Sequence, residues 1–332
     1  MKSNKKILII RYNAIGDIVL STIIPYAIKL KHPECEIHYL TTKRNSEILK
    51  NCPHVDKIMV YKGNIFGMIK KIFKERYDCI VSLNYTLKNY LLGFLSFPSK
   101  LVFKSSKGSS WVENNFYTAK KVYNDIELPE RLYLKNSDSF IEFRILKKLK
   151  EYPKPHIVIN PGRFYEQTRQ GRIWNIDKWK ELSKKLLKTY GGTIFVNGSS
   201  KERDYHLQLE DENVVVLSGM YNLKESFALL SLADIVISGD SGPVHIASAY
   251  NRNTIAILGS TSPDKIKPYG ENGYCIEPKS ECKYCWKKKC KYLKNNTGYA
   301  PCIESINVED VMKKIAEKNL LSPALCELEK VQ

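Results

Sequence analysis

No stretch of this sequence approaches the ~20 consecutive apolar residues that a membrane span requires. Its longest apolar run near the middle, Leu91 to Phe97 (LLGFLSF), is far shorter. The opening residues, MKSNKKILIIRYN, do not read as a secretory leader, because the run Ile7 to Ile10 is brief and Arg11 follows it. A cytoplasmic protein is therefore expected. No segment has the composition of a disordered tract, and 43% hydrophobic residues suffice for proper cores. Acidic residues are few beside basic ones, 35 against 53, for a net charge of +18. Such a field attracts polyanions: nucleic acid, anionic lipid or phosphorylated substrates. A lysine-rich chain can also reflect no more than its genome's composition. The basic residues are spread along the chain and no nucleic-acid-binding signature occurs, so nucleic acid is not expected as a partner.

The 332 residues suit two domains of roughly 150 residues each. Lys5 to Ile10 (KKILII) reads as a buried parallel strand, followed by the loop RYNAIGD and by helical character from Ile18 to Leu30 that Pro25 interrupts. Further strands are expected at Ile37–Leu40, Ile58–Tyr61 and Cys79–Leu83, with a helix over Ile65–Phe73. The basic, proline-bearing stretch from Lys147 to Pro155 is the expected boundary. This gives an N-terminal domain over 1–150, a C-terminal domain over 151–320 and a loose tail over 321–332. In the second domain strands are expected at His156–Asn160, Thr193–Val196, Val214–Leu217, Ile235–Ser238 and Thr254–Leu258. Helices are expected at Ile176–Thr189, Lys201–Leu209, Leu223–Ala233, after Gly242 and at Val308–Lys318. This alternation predicts two α/β domains, each a doubly wound parallel sheet, with ligands at the carboxyl ends of the strands.

Four strand-end segments could carry chemistry. In the first, Arg11 to Asp17, Gly16 would allow a tight turn and Asp17 falls at a helix start, where it is either an N-cap or a functional carboxylate. The loop lacks the glycines of G-x-G-x-x-G, so no dinucleotide fingerprint is present. In the second, SGDSGPVH from Ser238 to His245, Ser241 and Gly242 would let a phosphate approach the free amides of a helix N-terminus, and His245 could add a donor. The bland alternative is a turn capped by Asp240 over a core histidine. In the third, Asn160-Pro161-Gly162 leads to Arg163, Arg169 and Arg172, whose guanidinium forks suit a diphosphate, or which simply form a solvated basic loop. In the fourth, Asn197 to Glu202, Glu202 could accept a hydrogen bond from a ribose or sugar hydroxyl, or serve as a first-turn carboxylate.

Nine cysteines are present. Cys35, Cys52 and Cys79 read as reduced thiols. Cys282, Cys285, Cys290 and Cys302, spaced C-x2-C-x4-C-x11-C, could hold a structural zinc. The spacing is irregular and Cys275 lies nearby, so reduced thiols are the first reading and no metal is expected. The surrounding KYCWKKKCKYLK is basic and aromatic and could touch anionic lipid headgroups or a phosphorylated acceptor.

Together these segments resemble glycosyltransferase family 9, the heptosyltransferases of lipopolysaccharide core assembly. The likeness covers nearly the whole chain. It is carried by ILIIRYNAIGDIVLSTIIPYAIKLKHPECEIHYLT, by HVDKIMVY and YDCIVSL, and by INPGR followed by GRIWNIDKWKEL. LSGMYNLKESFALLSLAD adds to it, and ADIVISGDSGPVHIASAYNRNTIAILGSTSPDKIKPYG is the most specific part. The resemblance implies a GT-B fold: α/β, two Rossmann-like doubly wound domains facing a central cleft, acceptor in the N-terminal one and nucleotide sugar in the C-terminal one. It implies inverting, metal-independent transfer of a sugar, by default heptose from ADP-heptose, to a phosphorylated glycolipid acceptor, with no cofactor. Contact with the cytoplasmic face of the inner membrane would follow from such an acceptor.

By the same resemblance Asp17 is the general base, with Asn13 and Gly16 in its acceptor-side loop. Arg172, standing where the family usually has lysine, neutralises the donor diphosphate. Glu202 meets the nucleotide ribose. Asp240, Ser241, Gly242 and His245 bind donor phosphate and sugar. No D-x-D motif stands where a metal-dependent transferase would need it. The segment from Phe103 to Leu134 has little that aligns with the family pattern, which leaves the acceptor open. Two other readings stand beside this one: a transferase of the same fold using another nucleotide sugar for a different surface glycan, and a non-catalytic sugar-nucleotide or polyanion binder.

Overall fold

The computed structural model describes residues 5–162, 170–287, 289–293 and 298–324. The chain forms two compact units. The first runs to Ser137 and recruits Ala249–Asn251 and Tyr269–Glu271; the second takes Asp138–Ser248, Arg252–Pro268 and the chain from Asn272 on. The division thus falls ahead of the stretch from Lys147 to Pro155.

In the first unit, β1 (Lys6–Ile10), α1 (Ile15–Ser21), α2 (Ile23–Lys31), β2 (Glu36–Thr41), α3 (Lys43–Leu49) and β3 (Lys57–Val60) come first. Then follow α4 (Ile65–Glu75), β4 (Cys79–Ser82), α5 (Leu87–Phe94), β5 (Lys100–Phe103) and α6 (Trp111–Lys120). The sheet is parallel with strand order β3-β2-β1-β4-β5. Ile7 pairs with Ile37 on one side and with Cys79 on the other. Ile7 to Ile10 are completely buried, which explains why this strand reads as an unbroken apolar run: helices cover both faces. The helical stretch around Pro25 is two helices, broken at Thr22. Pro25 falls in the first turn of α2, where its missing N–H costs nothing.

The second unit contains α7 (Ser139–Leu149), β6 (His156–Asn160), α8 (Ile176–Tyr190), β7 (Thr193–Val196), α9 (Arg203–His206) and β8 (Val214–Val216). It continues with α10 (Leu223–Leu232), β9 (Ile235–Gly239), α11 (Gly242–Ala249), β10 (Asn253–Ile257) and α12 (Pro263–Ile266). It ends with β11 (Gly273–Ile276), α13 (Pro301–Glu304) and α14 (Val308–Glu317). The parallel sheet has the order β11-β10-β9-β6-β7-β8. α7 belongs here because it packs on α10, an arrangement that includes an ion pair between Arg144 and Glu225. The expected single helix over Lys201–Leu209 is instead α9 flanked by two short 3-10 turns. Within it Arg203 donates to the carbonyls of Val216 and Ser218. His206 is fully buried between Ser218 and Gly162.

The strand order reverses between β1 and β4 in the first unit and between β6 and β9 in the second. Such switch points leave an open crevice at the carboxyl ends of the strands, where doubly wound folds place their ligands. Among the described residues no helix is long and apolar enough to cross a membrane.

Candidate active site

At the switch point of the first unit, Arg11 directly follows β1 and is buried. Its guanidinium is fixed from three sides. Nε donates to the Asn13 carbonyl at 3.1 Å, Nη1 to the Leu83 carbonyl at 3.1 Å, and Nη2 pairs with Asp17 Oδ2 at 2.8 Å. Asp17 is the third residue of α1 and its Oδ2 also accepts the Ala14 amide at 3.1 Å. Ala14, not Asp17, is therefore the capping position, and the aspartate reaches back to it. Both contacts use Oδ2. Among the described residues Oδ1 takes no hydrogen bond, and the side chain is 39% exposed. The carboxylate is thus clamped in orientation with one oxygen open. Asn13 is exposed and supplies only its carbonyl to the clamp. Gly16 lies inside α1 with right-handed helical backbone, so it makes no left-handed turn, and the tight-turn role expected for it is not what it does.

Around this clamp stand lysines set against rings. Lys88 Nζ lies 3.8 Å from the Tyr12 ring centroid and 4.5 Å from that of Tyr61, and burial lowers its pKa. The Tyr12 hydroxyl is buried without a hydrogen-bond partner among the described residues. Lys104, just beyond β5, sits 3.5 Å over the Trp111 ring. Burial, helped by the charge of Arg11 and opposed by that of Asp17, pulls its pKa down to about 8. Sequence reasoning missed Lys88, Lys104 and Trp111, since nothing local ties them to Asp17.

In the second unit the switch point is flanked by Asn160 at the end of β6 and Gly239 at the end of β9. The turn Gln170–Arg172 is pressed onto these strand ends. A Cβ on Gly239 would lie 3.0 Å from the Arg172 carbonyl, and one on Gly259 only 2.2 Å from the Gly171 carbonyl. Only glycine lets the two backbones approach so closely. The Ser260 amide then donates to the Gly171 carbonyl at 3.0 Å. Arg172 Nε meets Asp240 Oδ2 at 2.6 Å, an ion pair whose angle is not that of a hydrogen bond. Asp240, nearly buried at 6%, is also held by Thr261 Oγ1 at 2.5 Å. The guanidinium also lies over the Trp286 ring, its Cζ 5.3 Å from the ring centroid.

Ser241 and Gly242 follow Asp240 directly and open α11. Ser241 Oγ shares a hydrogen bond with Ser238 Oγ at 2.8 Å. His245 is buried one turn further on. Arg172, Asp240, Ser241, Gly242 and His245 are thus brought to one strand end, with free amides and a positive helix pole beside a guanidinium. Arg163 and Arg169 lie outside the described residues. Glu202 closes the short 3-10 turn Ser200–Glu202 beyond β7, where its Oε2 accepts both the amide and the hydroxyl of Ser199 at 2.6 Å in a capping box. Thr261 and Trp286 were missed. Thr261 follows β10 within GSTSPD, a strand-end turn of the kind that flagged the other segments. Trp286 has no local signal.

The eight cysteines among the described residues are free thiols. Among the described residues no three Cys, His, Asp or Glu side chains form a group that could hold a metal. Burial pushes the Cys302 thiol up to about 11. The loop carrying Cys285 is tied into the unit, with the Trp286 amide donating to the Ser260 carbonyl at 2.9 Å and Cys290 N to Gln170 Oε1 at 2.6 Å.

Comparison with known proteins gives the chain's family. Residues 92–295 match the model of glycosyltransferase family 9 (heptosyltransferase). The lipopolysaccharide heptosyltransferase 1 of Campylobacter coli is 23% identical over 94% of this chain and 98% of its own. The solved structure of the Escherichia coli ADP-heptose lipopolysaccharide heptosyltransferase II superposes with a TM-score of 0.73 at 18% identity, covering 94% of this chain and 98% of that one. A family 9 glycosyltransferase from Veillonella parvula gives 0.75 at 16% identity, covering 95% and 97%. The fold shared with these structures is the α/β GT-B type, and the chain belongs to glycosyltransferase family 9, the heptosyltransferases.

Proposed function

We propose that this chain is an inverting transferase that moves heptose from ADP-heptose to a hydroxyl of a lipopolysaccharide-core or related surface-glycan acceptor, without a metal ion. The second unit takes the nucleotide sugar and the first takes the acceptor. Membership of the family supports the sugar transfer, and the names of the relatives support heptose and the lipopolysaccharide core. The observation that carries the reading is the Arg172–Asp240 ion pair at 2.6 Å beside the start of α11. Asp240 holds the guanidinium by Nε and leaves its two terminal nitrogens for a diphosphate.

The chemistry follows from these groups. The acceptor oxygen attacks the anomeric carbon while the bond from that carbon to the diphosphate oxygen breaks, which inverts the centre. The acceptor's proton passes to Asp17, whose Oδ1 is open and whose orientation Arg11 fixes. Negative charge grows on the departing ADP. Arg172, the Ser241 and Gly242 amides and His245 are the donors that stabilise it. Glu202 uses Oε2 for its own cap and has Oε1 for a ribose hydroxyl. A lipid-borne acceptor places the enzyme peripherally at the cytoplasmic face of the inner membrane.

Ligands that bind the folded state stabilise it, by about 2.7 kcal/mol at a hundred times Kd, and so raise its melting temperature. ADP and ADP-heptose are expected to raise it selectively over UDP, GDP and CMP sugars. A rise with another nucleotide alone would replace the donor. No rise with any would overturn the donor site as drawn.

A further inference from the structure

α5 carries two stripes. Asn89, Leu92 and Gly93 face the core. Leu87, Tyr90 and Phe94, at i, i+3 and i+7, share the opposite face and are 75%, 47% and 56% exposed. An outer helix face is normally polar; this one is apolar. α4 packs beside α5 and repeats the feature. It buries Met68 and Ile72, while Phe66 and Phe73 stand out, 80% and 55% exposed. Phe97, in the turn after α5, is 73% exposed and meets Phe73 edge-on at 6.3 Å, joining the two faces. Its φ of 49° is one that glycine would hold with less strain.

The charge around these rings is positive. Lys70, Lys71 and Lys74 are exposed on α4, and among the described residues none of them forms an ion pair. The helix's one carboxylate, Glu75, is occupied by Lys6 and Lys57. From Phe94 the rings continue through Tyr90 and Phe103 to Tyr85, at spacings of 5.8, 6.2 and 5.7 Å. The Tyr85 hydroxyl then donates to the carbonyl of Lys104, the residue whose amine stands near Asp17.

We propose that the outer face of α4 and α5 is a membrane-docking surface that inserts its aromatic side chains among the headgroups of an anionic bilayer. Exposed rings flanked by lysines are the composition of an interfacial helix pair. Pairing of two copies through this face would set each lysine row against its own image, so a bilayer of opposite charge is the better match. This deepens the lipid-borne-acceptor reading and rests on it for why a membrane is the partner.

The test is co-sedimentation of the full chain with phosphatidylethanolamine/phosphatidylglycerol vesicles and with phosphatidylcholine vesicles, without donor. The wild type is expected to bind the anionic vesicles in a salt-sensitive way. Combined Phe66→Ser, Phe73→Ser and Phe97→Gly is expected to weaken binding roughly tenfold or more, while the melting temperature does not fall and its rise with ADP stays unchanged. Combined Lys70→Gln, Lys71→Gln and Lys74→Gln is expected to flatten the salt dependence. The proposal is overturned if the wild type ignores anionic vesicles. It is also overturned if the ring variant binds them as well as the wild type, or if that variant instead dissolves a dimer seen by sedimentation equilibrium. Any of these results leaves the ADP response, and so the transferase reading, standing.

Discussion

Lys104→Met is expected to make the protein more stable at neutral pH, although it removes a charge beside the proposed base. In the wild type the amine is partly buried and its pKa drops from 10.5 to about 8, chiefly by burial and then by the charge of Arg11. A drop of that size corresponds to roughly 3 kcal/mol. Because the amine keeps some contact with water, roughly 1–2 kcal/mol is a fairer figure. The ring of Trp111 at 3.5 Å returns about 0.5–1 kcal/mol. The net cost of holding the ammonium there is then about 0.5–1 kcal/mol by difference of these terms.

Below pH 8 the folded and unfolded chains both bind this proton and the cost is fully present. Between about 8 and 10.5 the unfolded chain binds more, so stability rises with pH as the folded amine goes neutral. Methionine fills the space with no charge. Urea unfolding with matched m-values should show Lys104→Met ahead of the wild type by about 0.5–1 kcal/mol at neutral pH, with the gap closing towards pH 10.5. A variant less stable than the wild type at neutral pH, or a gap that does not change with pH, refutes this account of the cluster.

Gly259→Ala puts a methyl 2.2 Å from the Gly171 carbonyl. It should cost about 1–3 kcal/mol and weaken ADP binding, because the turn that carries Arg172 must lift; unchanged melting and ADP affinity would show that the close approach is absent. Trp286→Ala removes the ring at 5.3 Å from the Arg172 guanidinium and should raise the ADP Kd about two- to fivefold with little change in melting temperature. A chelator should leave transfer intact, since Arg172, the α11 amides and His245 carry the diphosphate charge; turnover that needs an added divalent ion would remove that reading.

Much of the fold was legible because the central strands are buried on both faces. Ile7–Ile10 and Ile157–Ile159 are fully covered, and such strands appear as unbroken apolar runs bounded by turns. The edge strands were not legible. β5 begins with an exposed lysine and leaves Leu101 and Phe103 half-buried, so it carries no continuous signal. β11 is four residues with a glycine at its start. The segment from Lys201 to Leu209 has helical composition, but the hydrogen bonds of Arg203 and His206 accompany three short turns there instead. The loops that were singled out share a local signature, small and polar residues directly after an apolar strand, and both main ones fall at a switch point. What completes each loop comes from elsewhere in the chain. Leu83 braces Arg11, Lys104 charges the surroundings of Asp17, and in the Arg172–Asp240 pair Thr261 contacts Asp240 and Trp286 contacts Arg172. Contacts between residues so distant in sequence leave no periodicity to read.

The central claim is that Asp17 takes the acceptor's proton, and Asp17→Asn tests it most directly. Asparagine keeps an oxygen for the Ala14 amide but cannot accept the proton. Transfer from ADP-heptose to a core acceptor should fall a hundred- to ten-thousandfold, while the protein stays folded and its melting temperature still rises with ADP. Near-normal turnover by the folded variant would contradict the account and move the base elsewhere.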